Sequence, residues 1–402
     1  MAKKKFLAII TRFEDINSIK VTWKYFLDKL SNNFEKVYFI SSEGLEFYPR
    51  YINHNLNDIK NKLPINFELF NPKNTKEFSN FLDDKDLIVI NHFGKYFSSI
   101  KIHYLLKKFD IKQIQVTSVG QHNFSMFIEN TNFVRKIIYK LRKKIIPKLV
   151  ILLGNLGLIA KVDIRFISNK AILKKIFGSK FKKFLYEKKF FFAKELILVN
   201  SFASDIKQQK EIKIAEDYIV HLDASLNYNH ETELRGYFDD RRIKDHYLNL
   251  EKFLKTLSNL FNKPVKVCIH PRYNLTEHKK FFPDFEVIQF KTRDYVYKAY
   301  IVTTFDSSAV IDAIMLKKKI IGITSDHMSL NETRHSLGWS NIVGYTNLNT
   351  KNIDFEKKFL LEQLENNLEK YENYIKDYLK FDESLSGAEK VINTIKERYF
   401  KI

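Results

Sequence analysis

Apolar residues along this chain come in short runs, separated by longer stretches with helical spacing. The runs Phe6–Ile10, Val37–Ile40, Leu87–Ile90 and Ile114–Thr117 are each bounded by polar or turn residues and read as buried strands. Between them, Val21–Leu30 and Ile100–Phe109 carry apolar residues three and four apart and predict helices, and Leu196–Val199 closes this half. After a charged stretch, Lys207–Asp217, the pattern restarts. Strands are predicted at Tyr218–Leu222, Val265–Ile269, Glu286–Ile288, Tyr300–Thr303, Ile320–Ile323 and Ile342–Val343. Helices are predicted at His246–Phe261, Ser308–Leu316, Phe355–Leu379 and Ala388–Phe400. No internal repeat interrupts the alternation.

Two successive β/α halves predict an α/β chain with two Rossmann-like, doubly wound domains facing a central cleft. Residues 1–206 form the first domain, 207–217 the linker, 218–385 the second domain and 386–402 a C-terminal helix. In such sheets ligands bind beyond the carboxyl ends of the strands, so function is sought in the residues just after each strand.

The 402 residues are 45% hydrophobic and 29% charged, the balance of a folded globular chain. No apolar stretch approaches the roughly 18–20 residues that span a bilayer. Met1–Lys5 runs directly into the first strand and lacks the long apolar region of a signal peptide. A single cysteine, Cys268, excludes an internal disulfide framework and a cysteine-based metal site.

Charge changes the picture more. The formal net charge is +21, and the segment 131–194 alone holds 18 basic and 2 acidic residues. Within it Val134, Ile137, Ile138, Leu141 and Ile145 fall on one helical stripe, with Arg135, Lys136, Lys140, Arg142, Lys143 and Lys144 around the rest. Pro147 is expected to end that helix, and the apolar run Leu149–Ala160 follows. An apolar face with basic flanks predicts a segment lying on an anionic membrane surface. A core-facing helix with a solvated basic back is the competing reading. Nucleic acid is not an expected partner, because a phosphate-tracking surface has no use for the apolar run.

Two loops of the second half carry candidate chemistry. The strand Val265–Ile269 delivers His270-Pro271-Arg272, an imidazole and a guanidinium suited to a phosphate or carboxylate. A histidine there can also protonate a leaving phosphate oxygen. The strand ending at Thr303-Thr304 runs through Phe305-Asp306 into Ser307-Ser308, where hydroxyls and backbone amides suit a phosphate. Simple N-capping of the next helix by Asp306 or Ser307 is the alternative.

His-Pro followed on the next motif by Ser-Ser resembles the nucleotide-binding domain of GT-B glycosyltransferases that build bacterial surface polysaccharides. It is most similar to the bacterial sialyltransferases and polysialyltransferases. The resemblance covers roughly 218–345 and is only architectural over the first half. It implies that His270 contacts the donor phosphate and acts as acid, and that Ser307 and Ser308 bind the phosphate. With Arg272, Thr304, Asp223 and Asp326 these make up the expected nucleotide site. The acidic pair followed by Gly that supplies the base in the sialyltransferases is missing, and Glu43-Gly44 is the nearest fragment. The Ser-Ser loop also resembles a segment of the CDP-glycerol and CDP-ribitol phosphotransferases of teichoic acid synthesis.

In the first half the residues after the strands are candidates for the base and for acceptor binding. His122, His92, Glu43 and Asp15 are candidate catalysts; His92, Gly120, Gln121 and His122 are candidate acceptor contacts. His246 and His278 lie on helix-like or charged stretches and are expected at the surface. The acidic Asp84-Lys85-Asp86 precedes a strand, so it cannot present a metal at a strand's carboxyl end. No metal or other cofactor is expected. The expectation is a metal-independent transferase moving a sugar from a nucleotide donor, with a CMP-activated acidic sugar among the candidates, to a lipid-linked or cell-surface glycan. It would work in the cytoplasm, peripheral on the inner face of the membrane. A non-catalytic membrane- or nucleic-acid-binding protein is the rival from another class.

Overall fold

The computed structural model describes residues 4–13, 16, 19, 23–45, 55–92, 99–117, 145–168, 193–205, 217–223, 240–271, 273–305, 307–328, 330–380 and 386–400. They fall into two compact units. One holds the described residues between 4 and 205 and those from 378 onward; the other holds those between 217 and 377.

The first unit is built on seven strands: β1 (Lys5–Thr11), β2 (Val37–Ser41), β3 (Phe67–Phe70), β4 (Asp86–Asn91), β5 (Lys112–Thr117), β6 (Val162–Ile167) and β7 (Ala193–Leu198). They are parallel and lie in the order β3-β2-β1-β4-β5-β6-β7. Its helices are α1 (Lys24–Asn33), α2 (Leu56–Lys60), α3 (Thr75–Asp84), α4 (Ile100–Lys108) and α5 (Ile146–Asn155). Strands covered on both faces are apolar at nearly every position, which is why β1 reads KFLAIIT. Alternate residues serve opposite layers: Leu7 and Ile9 pack with Phe26 and Leu30 of α1, while Ala8 and Ile10 pack with Phe78 of α3 and Ile102 of α4.

The second unit repeats the plan with β8 (Tyr218–Leu222), β9 (Val265–Cys268), β10 (Glu286–Ile288), β11 (Ala299–Thr304), β12 (Lys319–Thr324) and β13 (Thr346–Asn349). All are parallel, in the order β10-β9-β8-β11-β12-β13. Its helices are α6 (Asp240–Phe261), α7 (Leu275–Lys279), α8 (Thr292–Tyr297), α9 (Val310–Met315), α10 (Leu330–Val343) and α11 (Lys357–Tyr374). A final helix, α12 (Gly387–Ile395), belongs to the first unit, where Val391, Ile392 and Ile395 join the core beside α1.

The start of α12 is held from far back in the chain. Asp205 accepts the Gly387 and Ala388 amides at 2.6 and 2.7 Å, and Ser386 Oγ accepts the Glu389 amide at 3.0 Å. Gly387 sits so close to β7's outgoing chain that a Cβ would come within 2.0 Å of the Asn200 carbonyl oxygen. Burial pushes the Asp205 carboxyl up to about 6, although the two amides pull the other way.

Two expectations are corrected. Ile342-Val343 is no strand: it closes α10, with Trp339 and Val343 buried, and Gly344 at φ +92° ends the helix before β13. Pro147 does not end a helix but stands in the first turn of α5, where its missing N–H costs nothing. α5 buries Val150 and Gly154 and turns Ile145, Leu149, Leu152 and Leu156 outward, 39–63% exposed, with Leu158 just beyond. The stripe from Val134 to Lys144 lies outside the described residues.

Candidate functional site

In a doubly wound sheet the loops part where the strand order reverses, leaving a crevice at the carboxyl edge. In the second unit this happens between β8 and β11, where Leu222 lies in register with Thr304. Around that point the strands deliver Asp223 from β8, His270 two residues past β9, Thr304 and Ser307-Ser308 from β11, and Ser325-Asp326 past β12. The predicted residues therefore share one edge of one sheet.

His270 is half-buried. Its carbonyl accepts from the Tyr273 amide at 3.1 Å and from Gln289 Nε2 at 3.2 Å, and its ring meets Tyr273 edge-on. After β11, Thr304 Oγ1 accepts the Ser307 amide at 3.3 Å and Ser307 Oγ accepts the Ala309 amide at 3.4 Å. These turns delay the helix, so α9 starts at Val310 and not at Ser308, and Ala309 stands at its N-cap without a side-chain bond. Neither serine caps it: Ser307 is half-buried and Ser308 exposed. Asp326 is exposed and turned toward β13, paired with Lys351 at 2.6 Å and Asn349 at 2.9 Å; the lysine beside it lowers its carboxyl below the ordinary range. Arg272 and Asp306 lie outside the described residues.

Asp223 points inward, 2% exposed. Its Oδ2 accepts from His278 Nε2 at 2.6 Å and from the Tyr247 hydroxyl at 3.4 Å, while His221 Nε2 stands 3.7 Å from Oδ1. His221 Nδ1 is 2.9 Å from Thr303 Oγ1. Burial works to raise the Asp223 carboxyl, but the two histidines together outweigh it and carry it down to about 2. His246, on α6, completes the cluster; burial drives it down to about 4, so it is neutral at pH 7. His246 and His278, expected at the surface, are 1% and 2% exposed.

The first unit has its own reversal between β1 and β4, with Ile10 opposite Asn91. Thr11 Oγ1 and His92 Nδ1 bridge it at 3.0 Å, and the exposed His92 ring packs edge-on against Trp23. Glu43 follows β2 and is 5% exposed, accepting from Ser41 Oγ at 3.2 Å. Beside it, Gly44 leaves no room for a Cβ, which would lie 2.1 Å from the Pro72 carbonyl oxygen. Asp15, Gly120, Gln121 and His122 lie outside the described residues.

No protein-family model matches the chain, and no curated protein matches it in sequence. Solved structures do match in shape. The Phytolacca americana UGT2, complexed with UDP-2fluoro-glucose and pterostilbene, superposes with a TM-score of 0.54 at 7% identity, over 99% of this chain and 100% of that one. A Listeria monocytogenes protein assigned as a UDP-N-acetylglucosamine 2-epimerase gives 0.52 at 13% identity, over 100% and 98%. The wall teichoic acid polymerase TagF gives 0.51 at 11%, over 98% and 89%. The fold is GT-B.

Within this GT-B chain, sequence reasoning missed that His221 and Thr303, at their strand ends, join His246, Tyr247 and His278 in one buried cluster around Asp223. One signal was present. His246 lies four residues before Leu250 and seven before Phe253, on the buried stripe of α6. His278 carried no such signal, because its five-residue helix α7 is too short to show a period. Among the described residues, no group of three or more His, Cys, Asp or Glu could hold a metal ion, and no helix is long and apolar enough to cross a membrane.

Proposed function

We propose that this chain is a glycosyltransferase that binds a nucleotide-sugar on its second unit and transfers the sugar to a surface-glycan acceptor. One observation carries the reading. His270, Thr304, Ser307 and Ser308 all follow strands at the carboxyl edge of the second sheet, beside its reversal point, and neither serine stands at the N-cap of α9. Imidazole and hydroxyl donors at that edge would offset the charge that develops on a departing phosphate, the work a metal does elsewhere. His270 would also give the leaving oxygen a proton. Of the described candidates for the base, His92 suits the role better than Glu43, since it is exposed and its ring is oriented by Thr11. When Nδ1 donates to Thr11, Nε2 carries the lone pair that takes the acceptor's proton.

A membrane-bound acceptor fits the same reading. The outward leucines of α5 form an apolar ridge, and the basin beside the end of that helix is lined by Lys107, Lys112, Lys161 and Lys194 with Asp110 and Asp163. An apolar ridge with lysines around it suits an anionic bilayer surface.

Thermal shift with CMP, CDP, UDP and GDP tests the donor half, because the nucleotide that binds stabilises in proportion to its affinity. CMP directs the search to acidic sugars, CDP to polyol phosphates and UDP to hexoses. Turnover of the matching donor must then depend on an added glycan acceptor, and His270→Ala should lower it by about two to four orders of magnitude. Conversion of a UDP-sugar without any acceptor would make the chain an epimerase instead. No shift with any nucleotide would end the proposal.

A further inference from the structure

The buried cluster under the second sheet's edge contains an ionised carboxylate that touches no surface. Asp223 is joined to the His270 turn by two routes. Along the backbone, its amide donates to the Cys268 carbonyl at 3.0 Å, two residues before His270. Through side chains, its Oδ2 accepts a hydrogen bond from His278 Nε2 at 2.6 Å, and the His278 ring stacks on Tyr273 at 4.3 Å with 13° between the planes. Tyr273 in turn donates its amide to the His270 carbonyl and meets the His270 ring edge-on at 6.2 Å. Gln289 closes the turn from β10's side, its Nε2 donating to the carbonyls of both His270 and Tyr273 at 3.2 and 2.8 Å.

We infer that Asp223 is a positioning residue: through His278 and Tyr273 it fixes the His270 imidazole at the carboxyl edge. This rests on the proposed role of His270. The chemistry favours it over direct contact with the donor. A carboxylate would repel a nucleotide phosphate, and this one is 2% exposed, with its Oδ2 engaged by His278 and Tyr247 inside the core. A buried charge retained where an apolar side chain would pack more cheaply is best explained by the geometry that it imposes on its partner. His278 needs an acceptor at one fixed point if its ring is to stay parallel to Tyr273. The carboxylate supplies that point from a different strand, so the short helix α7 cannot slide relative to β9. A misplacement of about 1 Å at a reacting group costs about a hundredfold in rate, which makes such a clamp worth having.

The test uses the full chain with the donor found by the nucleotide panel. Asp223→Ala and His278→Leu should each lower kcat by about 10–100-fold while the KM for the donor changes less than about threefold. Asp223→Asn keeps an acceptor for the His278 N–H and should recover most of the loss. Asp223→Ala placed on His270→Ala should cost nothing more, because the clamp then has nothing to hold. The His270 ring signals in imidazole NMR should shift or broaden in Asp223→Ala, a readout independent of turnover. The inference fails if Asp223→Ala keeps full kcat, if Asn is as damaging as Ala, or if the loss falls on donor KM. It also fails if the two substitutions are additive or the His270 signals do not move. A wild type that binds no nucleotide and transfers nothing ends the functional proposal instead, and the NMR comparison still decides whether Asp223 holds His270.

Discussion

Replacing Asp205 with Ala should destabilise the first unit more in acid than at neutral pH, the reverse of the behaviour of an ion-paired aspartate. The side chain accepts two buried amides of α12 at 2.6 and 2.7 Å. Hydrogen bonds to a charged acceptor are worth about 1.5–3 kcal/mol each, and amides left unpaired in the core add to the loss. Burial nevertheless raises the carboxyl from the ordinary 3.8 to about 6, so folding favours the protonated form. The sign follows from proton linkage. The contribution is complete below about pH 4, falls as pH rises through 6 and is then constant. Ionisation costs about 1 kcal/mol of folding at pH 4.5 and about 3 kcal/mol at pH 8. The alanine variant has no such titration, so its deficit should shrink by about 2 kcal/mol between those values, from about 3–4 to about 1–2 kcal/mol. The assay is denaturant unfolding followed by Trp23, which lies 6.2 Å from the Phe202 ring. The chain has two tryptophans, so a Trp339→Phe background leaves Trp23 as sole reporter. Other groups titrate alike in both proteins and cancel in the difference. A deficit that is flat with pH, or larger at pH 8, would refute the reasoning.

Other outcomes are expected. Ser307→Ala with Ser308→Ala should weaken nucleotide binding by about 1–3 kcal/mol, read by calorimetry. Unfolding measurements should register no more than about 1 kcal/mol, since neither serine stands at the N-cap and only Ser307 Oγ holds an amide there, that of Ala309. Transfer activity should survive exhaustive chelation, and a strict need for Mg²⁺ or Mn²⁺ in the assay would contradict the proposed metal-independent transfer. Leu149→Ser with Leu152→Ser should release the protein from anionic vesicles in a flotation assay, given about 25 cal/mol per Å² of apolar surface. Charge reversal at Arg142, Lys143 and Lys144 should do the same at low salt, and vesicle binding by the wild type should fall as salt rises without vanishing. Variants that stay bound would remove the membrane from the proposal.

Central strands were legible because two covered faces leave no polar positions. β1, β2, β4, β8, β9, β11 and β12 each coincide with an apolar run, and the carboxyl-edge positions of His270 and Thr304 followed from them. Two of the edge strands lacked that signature. β3 reads FELF with only Phe67 buried and β13 reads TNLN with no position buried, so pairing in the sheet, and not composition, makes them strands. β6 was hidden differently, because Asp163 and Arg165 alternate with its buried residues inside the basic segment. The inner polar cluster was illegible for a third reason. Histidine and aspartate carry no burial signal of their own beyond the helical spacing of His246, and His246 and His278 meet Asp223 only when α6 and α7 close over the end of β8. Ile342-Val343 shows the converse: an apolar pair without its neighbours cannot tell a strand from the last turn of a helix.

The return of α12 to the first unit bears on how the chain is made. Asp205 and Gly387 are separated by 182 residues, which at ribosomal speed is about 10–40 s of synthesis. Throughout that interval the inner face of α1, with Phe26, Leu27 and Leu30, has no α12 to cover it. The second unit, whose described residues end at 377, leaves the ribosome complete before the first can be closed. The domain begun first is thus finished last, and during translation it is the one with apolar surface to shield. A chain shortened before Gly387 should therefore aggregate through its amino-terminal unit while its second sheet stays intact.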